Sequence, residues 1–470
     1  MTPTPAADCR RWARDTWRSL EAMTDRYTGL VADAVGADLG HPSPATSPTN
    51  IGDLLWSAVA ARELGVIDAD TCRDLLARAI ATIGLIPSHE PSGLFYNWYD
   101  SASGEPVLEG RADGRRVRPL VSSVDTAWLA TGLMVARAAE PSVAGAASRI
   151  VDRMRWDMVL DRTDRAAGLI SAGFRDEDPG PGSPMRQGNQ AGLGPDVWYL
   201  PGYDTIVSET RIASYLGIAA GQVPHAQWFG PYRTLPQARL EADRAAYVAD
   251  EEAAGREPHL APPPVVTGET VTHLGVDVVE GAVAYRGMRI VPGWGGSMFE
   301  ELMPDLFVPE AEWGPRSWGR NHPLHVRAQR EHGLEEEGLG VWGFSPSSDP
   351  PDGYGEFGVK ALGMSAAGYW SRGTVTPHAS FLAMAHEPEA ALDNLGRVEV
   401  DHGAYGPGGF HDAVDVRRGL RAEHHLALDQ AMVMAALANH GADDAMRRCF
   451  APQVEAVRPL VEMEEFGAGA

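Results

Sequence analysis

Between residues 8 and 463 the chain carries about a dozen helix-period apolar patterns, and only one stretch alternates as a strand does. A chain of this kind must bury its apolar stripes helix against helix. Ala13, Trp17, Leu20, Met23, Tyr27 and Leu30 step by three and four, which predicts a helix over 8–34. Asn50 reads as the N-cap of a helix to about Leu64, and Asp68 as the start of one to about Leu85. Ser122 opens a helix to about Ala138, and Pro141 opens another to about Leu160. Residues 236–255 predict an acidic helix, ended by the triple proline at 262–264. Ser297 and Pro323 open two more, the second reaching about His332. Further helices fall near 376–386, 388–396, 420–440 and 442–463. Their spacing is irregular, which excludes a fixed-period solenoid.

The exception runs from Val265 to Val291. It is β-branched and alternating, with Gly268, Gly275, Gly281 and Gly287 as turns, and predicts a small β insertion at about 265–293. The remainder fits an all-α (α/α)6 barrel, six inner helices ringed by six outer ones, in one domain over residues 1–470. In such a toroid one mouth gathers the long loops. Aromatic residues in the loops at 95–99, 198–199, 228–229, 313–318 and 342 suit a sugar-binding bowl, because pyranose CH faces pack on aromatic rings. Packing among the loops themselves is the alternative for each ring.

One further stretch, Gly202 to Ala219, stands near the middle of the chain. Asp204 reads as an N-cap, with Ile206, Ile212, Leu216 and Ala219 at helical spacing. Glu209 and Arg211 fall near the start among apolar and small residues. A carboxylate there is either a helix-terminus charge or a reacting group.

With 470 residues, 44% of them hydrophobic and 22% charged, the chain can build a large core. Its net charge of -24 argues against nucleic acid and anionic lipid as partners. Lys360 is the only lysine, which leaves Schiff-base chemistry a single candidate. Cys9, Cys72 and Cys449 are odd in number and far apart, as in a reducing compartment, and form no thiolate metal site. Neither an apolar signal core nor a membrane-length apolar run is present, so a soluble, cytoplasmic protein is expected. No cofactor or metal is expected: the adjacent His424 and His425 cannot share one helix face. Gly180-Pro181-Gly182 and Gly406-Pro407-Gly408-Gly409 lack the strand-then-helix setting of nucleotide loops.

Eight motifs in order resemble the glycoamylase-like domain found in bacterial endo-β-1,2-glucanases and at the end of cyclic β-1,2-glucan synthases. They are Ser47-Pro48-Thr49-Asn50-Ile51-Gly52, Tyr96-Asn97-Trp98-Tyr99, Val121-Ser122-Ser123-Val124-Asp125 and Ser208-Glu209-Thr210-Arg211 through Leu216 with Trp228-Phe229. The others are Gly295-Gly296-Ser297-Met298-Phe299-Glu300, Trp342-Gly343-Phe344-Ser345, Pro388 to Leu395, and Tyr405-Gly406 to Asp412. The resemblance runs from about residue 47 to 440. It implies a glycoside hydrolase acting on β-1,2-linked glucan or gluco-oligosaccharides.

Such cleavage ordinarily needs two carboxyl groups, one to protonate the leaving oxygen and one to activate water or attack. By position in the resembling motifs, Glu209 is the general acid, Asp412 the base, and Glu300 a second acid or nucleophile. Asp125, Trp98, Tyr99, Trp228, Trp342 and Tyr354 make the substrate-binding set. Each carboxylate also has a plain structural reading. Ser297-x-x-Glu300 and Ser122-x-x-Asp125 are capping-box patterns, Asp412 and Asp415 suit turns, and Arg211 suits an ion pair. Glu301 is expected to point off that face into solvent. A transglycosylase, an enzyme on another small glycoside, and a catalytically silent glycan-binding toroid remain alternatives.

Overall fold

The computed structural model describes residues 5–109, 116–180, 183–188, 196–258, 260, 266–351, 353–367 and 369–469. The triple proline at 262–264, Pro181-Gly182 and Val265 lie outside them. Six helices touch in cyclic order: Pro48–Glu63, Ser123–Ala139, Arg211–Ala219, Met298–Leu302, Pro377–Ala383 and Ala427–Gly441. The link between the third and fourth is a side chain, since Arg211 donates hydrogen bonds to the carbonyls of Glu300 and Glu301. Other helices lie outside this ring: Pro5–Met23 against the last member, Ala69–Ile83 and Pro141–Val151 against the first two, Trp318–Glu331 against the fourth, and Pro388–Val400 against the fifth. One apolar core extends from Trp12 to Ala468, and a small second cluster joins Leu235, Leu240 and Met364. No helix among the described residues is long and apolar enough to cross a membrane.

The first two ring helices are almost wholly buried, and glycines let them meet. A Cβ on Gly132 would sit 2.4 Å from the Gly52 carbonyl, and one on Gly52 would sit 2.4 Å from the Trp128 carbonyl. The clashing atoms are backbone, so they cannot rotate away. Gly132→Ala is expected to lower stability by about 1–3 kcal/mol, read as a lower denaturant midpoint with unchanged slope.

Local chemistry sets the helix starts. Ser47 accepts from the Asn50 amide, with Pro48 in the first turn, so Ser47 and not Asn50 is the cap. Ser122 accepts from Asp125, and Ser297 with Glu300 closes a reciprocal capping box. The β insertion is a three-stranded antiparallel meander, Val266–His273, Val276–Tyr285 and Met288–Ile290. Leu274-Gly275 and Arg286-Gly287 make its turns at positive φ, as two-residue hairpins require. Gly268 and Gly281 are not turns; they face each other across the ladder.

Several boundaries differ from expectation. The first helix ends at Met23, and Tyr27 is exposed in a turn. Pro323 lies inside the Trp318–Glu331 helix rather than opening one. The Pro141 helix stops at Val151, before a short 3-10 turn over Trp156–Val159. The 420–440 segment starts as strands Leu420–Arg421 and His424–Leu426, and its helix begins only at Ala427. Asp204 caps nothing. Residues 204–208 are extended, bridged from Thr205 to Tyr232 and from Val207 to Gly293, and the helix begins at Arg211. Short ladders also run through the mouth loops, including a four-stranded sheet that holds Val121–Ser122.

Candidate active site

Four ring helices carry a polar residue at the third position of their first turn: Asn50, Asp125, Glu300 and Asp429. All four side chains line one mouth of the ring, because helix polarity there is shared. The mouth is a cleft of two lobes, of about 570 Å³ and about 470 Å³. The larger lobe is walled by Asp33, Thr49, Asn50, Trp98, Asp125, Tyr354, Glu356 and Asp429. The smaller is walled by Tyr203, Asp204, Ser208, Arg239, Trp294 and Glu300. Glu209, Phe299, Pro346 and Tyr369 belong to both, so Glu209 stands at the junction. The ring of Tyr369 lies on the backbone at Gly295, where a Cβ would come within 1.9 Å of it.

Glu209 sits just before the cap of its helix, in the turn that leads into it. Its Oε2 accepts from the Trp128 indole at 2.7 Å. Burial pushes its carboxyl up to about 8; the Trp128 bond opposes this, and the charges of Asp125 and Glu300 add to it. Glu300 is pushed up to about 7 by burial, against the pull of the Gly295 and Ser297 amides. Glu300 therefore both closes its capping box and faces the cleft. Asp125 is also raised by burial, while Thr49 Oγ1 donates to it at 2.6 Å.

Asp412 lies elsewhere than the resemblance implies. It is buried behind the wall, accepting from the Ser348 amide at 2.7 Å, and lines neither lobe. Burial pushes its carboxyl well up, and the charge of the neighbouring Asp429 and the hydrogen bond between the two side chains add to this. Asp429 is the member that meets the cleft, and it is pushed up to about 7 by burial despite that bond. His378 Nδ1 lies 3.2 Å from the Asp429 carboxylate. Reading from sequence missed Asp429. The available signal was a first-turn aspartate, hidden because Leu426 provides no side-chain cap.

Among the expected sugar-facing rings, Trp98 and Tyr354 line the larger lobe, 39% and 65% exposed. Three others require correction. Tyr99 is buried and its hydroxyl donates to the Pro87 carbonyl at 2.8 Å. Trp228 is buried with its indole on Glu464 at 3.1 Å. Trp342 is buried, its backbone bonded both ways to Asn394. Trp313 and Trp318 are core residues as well. Asp415 is held by Arg418 and stays out of the cleft.

Glu301 also reverses expectation, being wholly buried on His322 Nδ1 at 2.6 Å. His322 Nε2 lies 3.3 Å from Glu310, which Arg211 grips in bidentate fashion. Asp305 pairs with Arg447 at 2.8 Å. Asp305, Glu310 and His322 could place three ligand atoms within 4.8 Å of one another. Burial pulls the His322 imidazole down, but Glu301, Glu310 and Asp305 outweigh it and raise it to about 9. Arg211 pairs with Glu310, and Arg447 pairs with Asp305, in the same cluster.

Two family descriptions match separate parts of the chain. Residues 11–180 match a family described as protein of unknown function (DUF3131). Residues 260–452 match the Glycoamylase family, described as "Putative glucoamylase". This part of the chain is similar to members of that family. The cleft draws on both regions, Asp125 from the first and Glu300 and Asp429 from the second, while Glu209 lies between them. The chain is 28% identical over 551 residues to the cyclic β-(1,2)-glucan synthase NdvB of Rhizobium meliloti (strain 1021). That alignment covers 97% of this chain and 18% of the synthase, so the chain spans under a fifth of that relative. The β-1,2-glucanase of Parabacteroides distasonis superposes with a TM-score of 0.72 at 14% identity, over 98% of this chain and 61% of that one. The endo-β-1,2-glucanase of Chitinophaga pinensis, solved with sophorotriose and glucose, gives 0.66 at 13% identity, over 98% and 99%. At such identities these likenesses speak for the fold.

Proposed function

We propose that the protein is a glycoside hydrolase that cleaves β-1,2-linked glucan or gluco-oligosaccharides by carboxylate acid and base catalysis. In this reading the whole chain is one catalytic (α/α)6 toroid with the β meander inserted. The observation that carries it is the position of Glu209: a carboxyl held protonated near neutrality, at the junction of two sugar-sized lobes. A glycosidic oxygen bridging the lobes would receive that proton as the bond to the anomeric carbon breaks. Asp429, backed by its hydrogen bond with Asp412, is the proposed base that takes a proton from water. Asp412 thus acts through Asp429 and not by direct contact. Trp98 and Tyr354 offer rings to the sugar faces in one lobe, and Asp125, Asn50 and Thr49 offer hydrogen bonds to hydroxyls. The synthase and glucanase likenesses support the β-1,2 linkage as the first to test.

The same carboxyl environments give a pH profile. Rate is expected to fall as pH rises through about 8, where Glu209 loses its proton. It is expected to fall again as pH drops through about 7, where Asp429 gains one. A profile of kcat/KM on β-1,2-gluco-oligosaccharides checks this; a flat response from pH 5 to 9 would contradict it. Products longer than the substrate supplied would move the protein to the transglycosylase reading.

A further inference from the structure

Arg211 does more than its buried ion pair requires. A guanidinium has five N–H donors, and all five of these are used. Nε and one Nη2 hydrogen go to Glu310 at 2.7 and 2.8 Å. The other Nη2 hydrogen goes to the Glu301 carbonyl. Both Nη1 hydrogens go to backbone as well, to Ser208 at 2.9 Å and to Glu300 at 2.7 Å. The plane stacks 4.5 Å from the Trp318 ring. Pairing with Glu310 needs only two donors. The remaining three reach the carbonyl just before Glu209 and the carbonyls of Glu300 and its neighbour.

We propose that Arg211 is a positioning residue, a clamp that holds the segment carrying Glu209 in fixed register with the helix carrying Glu300. The proposal rests on the glycosidase reading for its kinetic consequence but not for its geometry. Glu209 precedes its helix, and the Thr210 cap that follows makes no side-chain bond, so the Arg211 bond to the Ser208 carbonyl fixes the backbone on its other side. Glu310, Tyr215 and His322 anchor the guanidinium from below, the Tyr215 hydroxyl donating to Glu310 at 2.9 Å. Lysine keeps the charge but not the planar fork, so it cannot bond three carbonyls and a bidentate carboxylate together.

The test is Arg211→Lys, read three ways after circular dichroism has established folding. On β-1,2-gluco-oligosaccharides kcat is expected to fall about 100-fold with KM little changed, the cost of a roughly 1 Å misplacement. An aryl glycoside with a nitrophenolate leaving group is expected to recover part of that loss. Without substrate, carbon-13 titration of the Glu209 carboxyl, assigned with Glu209→Gln, is expected to move to lower pH as the loosened segment admits water. A folded lysine variant with unchanged kcat and an unmoved Glu209 titration would overturn the clamp. Should that variant not fold, Glu310→Asp draws the fork back by one methylene and is read by the same titration and the same criterion. Wild-type protein that cleaves no β-1,2-glucan would sink the glycosidase reading alone, since the titration decides the clamp with no substrate present.

Discussion

Glu209→Gln is expected to lose about 100- to 10,000-fold in turnover on β-1,2-linked glucan while binding the glucan as before. Glutamine keeps the shape and can still accept from the Trp128 indole, but it has no proton to give. An activated aryl glycoside barely needs protonation, so the variant should regain part of its rate there. Asp429→Asn should show no such recovery, because it removes the proposed base and not the acid. Asp412→Asn should follow Asp429→Asn, more weakly, since it acts through that partner. Equal recovery in acid and base variants, or none in either, would mean the roles are wrongly assigned. Stability separates the effects. The folded state raises Glu209 to about 8, above its unfolded value, so it binds the proton more tightly than the unfolded chain does. Stability from this group therefore falls as pH rises from the unfolded carboxyl range to about 8. Glu209→Gln should then unfold at or above the parent temperature at pH 8, as functional carboxyls held against their preference commonly do.

Glu310→Leu is expected to destabilise the fold by about 3–5 kcal/mol, because it strands the buried Arg211 charge without its bidentate partner. Tyr215 and His322 lose a partner in the same step. The denaturant midpoint should drop well below that of a surface control such as Glu455→Gln, whose pair with Arg458 is exposed. The cluster also has a pH signature. His322 is raised above its unfolded value, so its contribution is fully present below about pH 6.5 and is lost as pH rises through about 9. Melting temperatures measured from pH 6 to 10 should fall between about 6.5 and 9 and level off above that, and this fall should vanish in His322→Gln.

Much of this site could be read from residue order, and the part that could not was non-local. Glu209, Glu300 and Asp125 belong to short motifs whose neighbours are themselves sequential, such as the Ser297 and Ser122 caps. Asp429 depends on pairing between His424–Leu426 and Ala34–Gly36, nearly four hundred residues apart, which delays the helix to Ala427. With the helix read from 420, Asp429 falls in mid-helix and loses its meaning. The extended segment at 204–208 was hidden for the same reason, since Gly293 and Tyr232 hold it. Glu301 differs from Glu300 by about 100° around the helix, and only the distant His322 turns that direction from solvent to core. Tryptophan composition carried little positional information. Trp228 and Trp342 are buried in the core, while Trp98 reaches the cleft, and nothing in their immediate neighbours separates the two cases.

The most direct measurement is the size distribution of products when linear β-1,2-glucan is incubated with the parent protein and with Glu209→Gln at pH 7.5. Time-resolved mass spectrometry should record shorter β-1,2-gluco-oligosaccharides accumulating with the parent and essentially none with the variant. Equal product release by both proteins would contradict the assignment of Glu209 as the acid. Unchanged glucan with the parent, despite measurable binding, would contradict the hydrolase and leave a glycan-binding toroid.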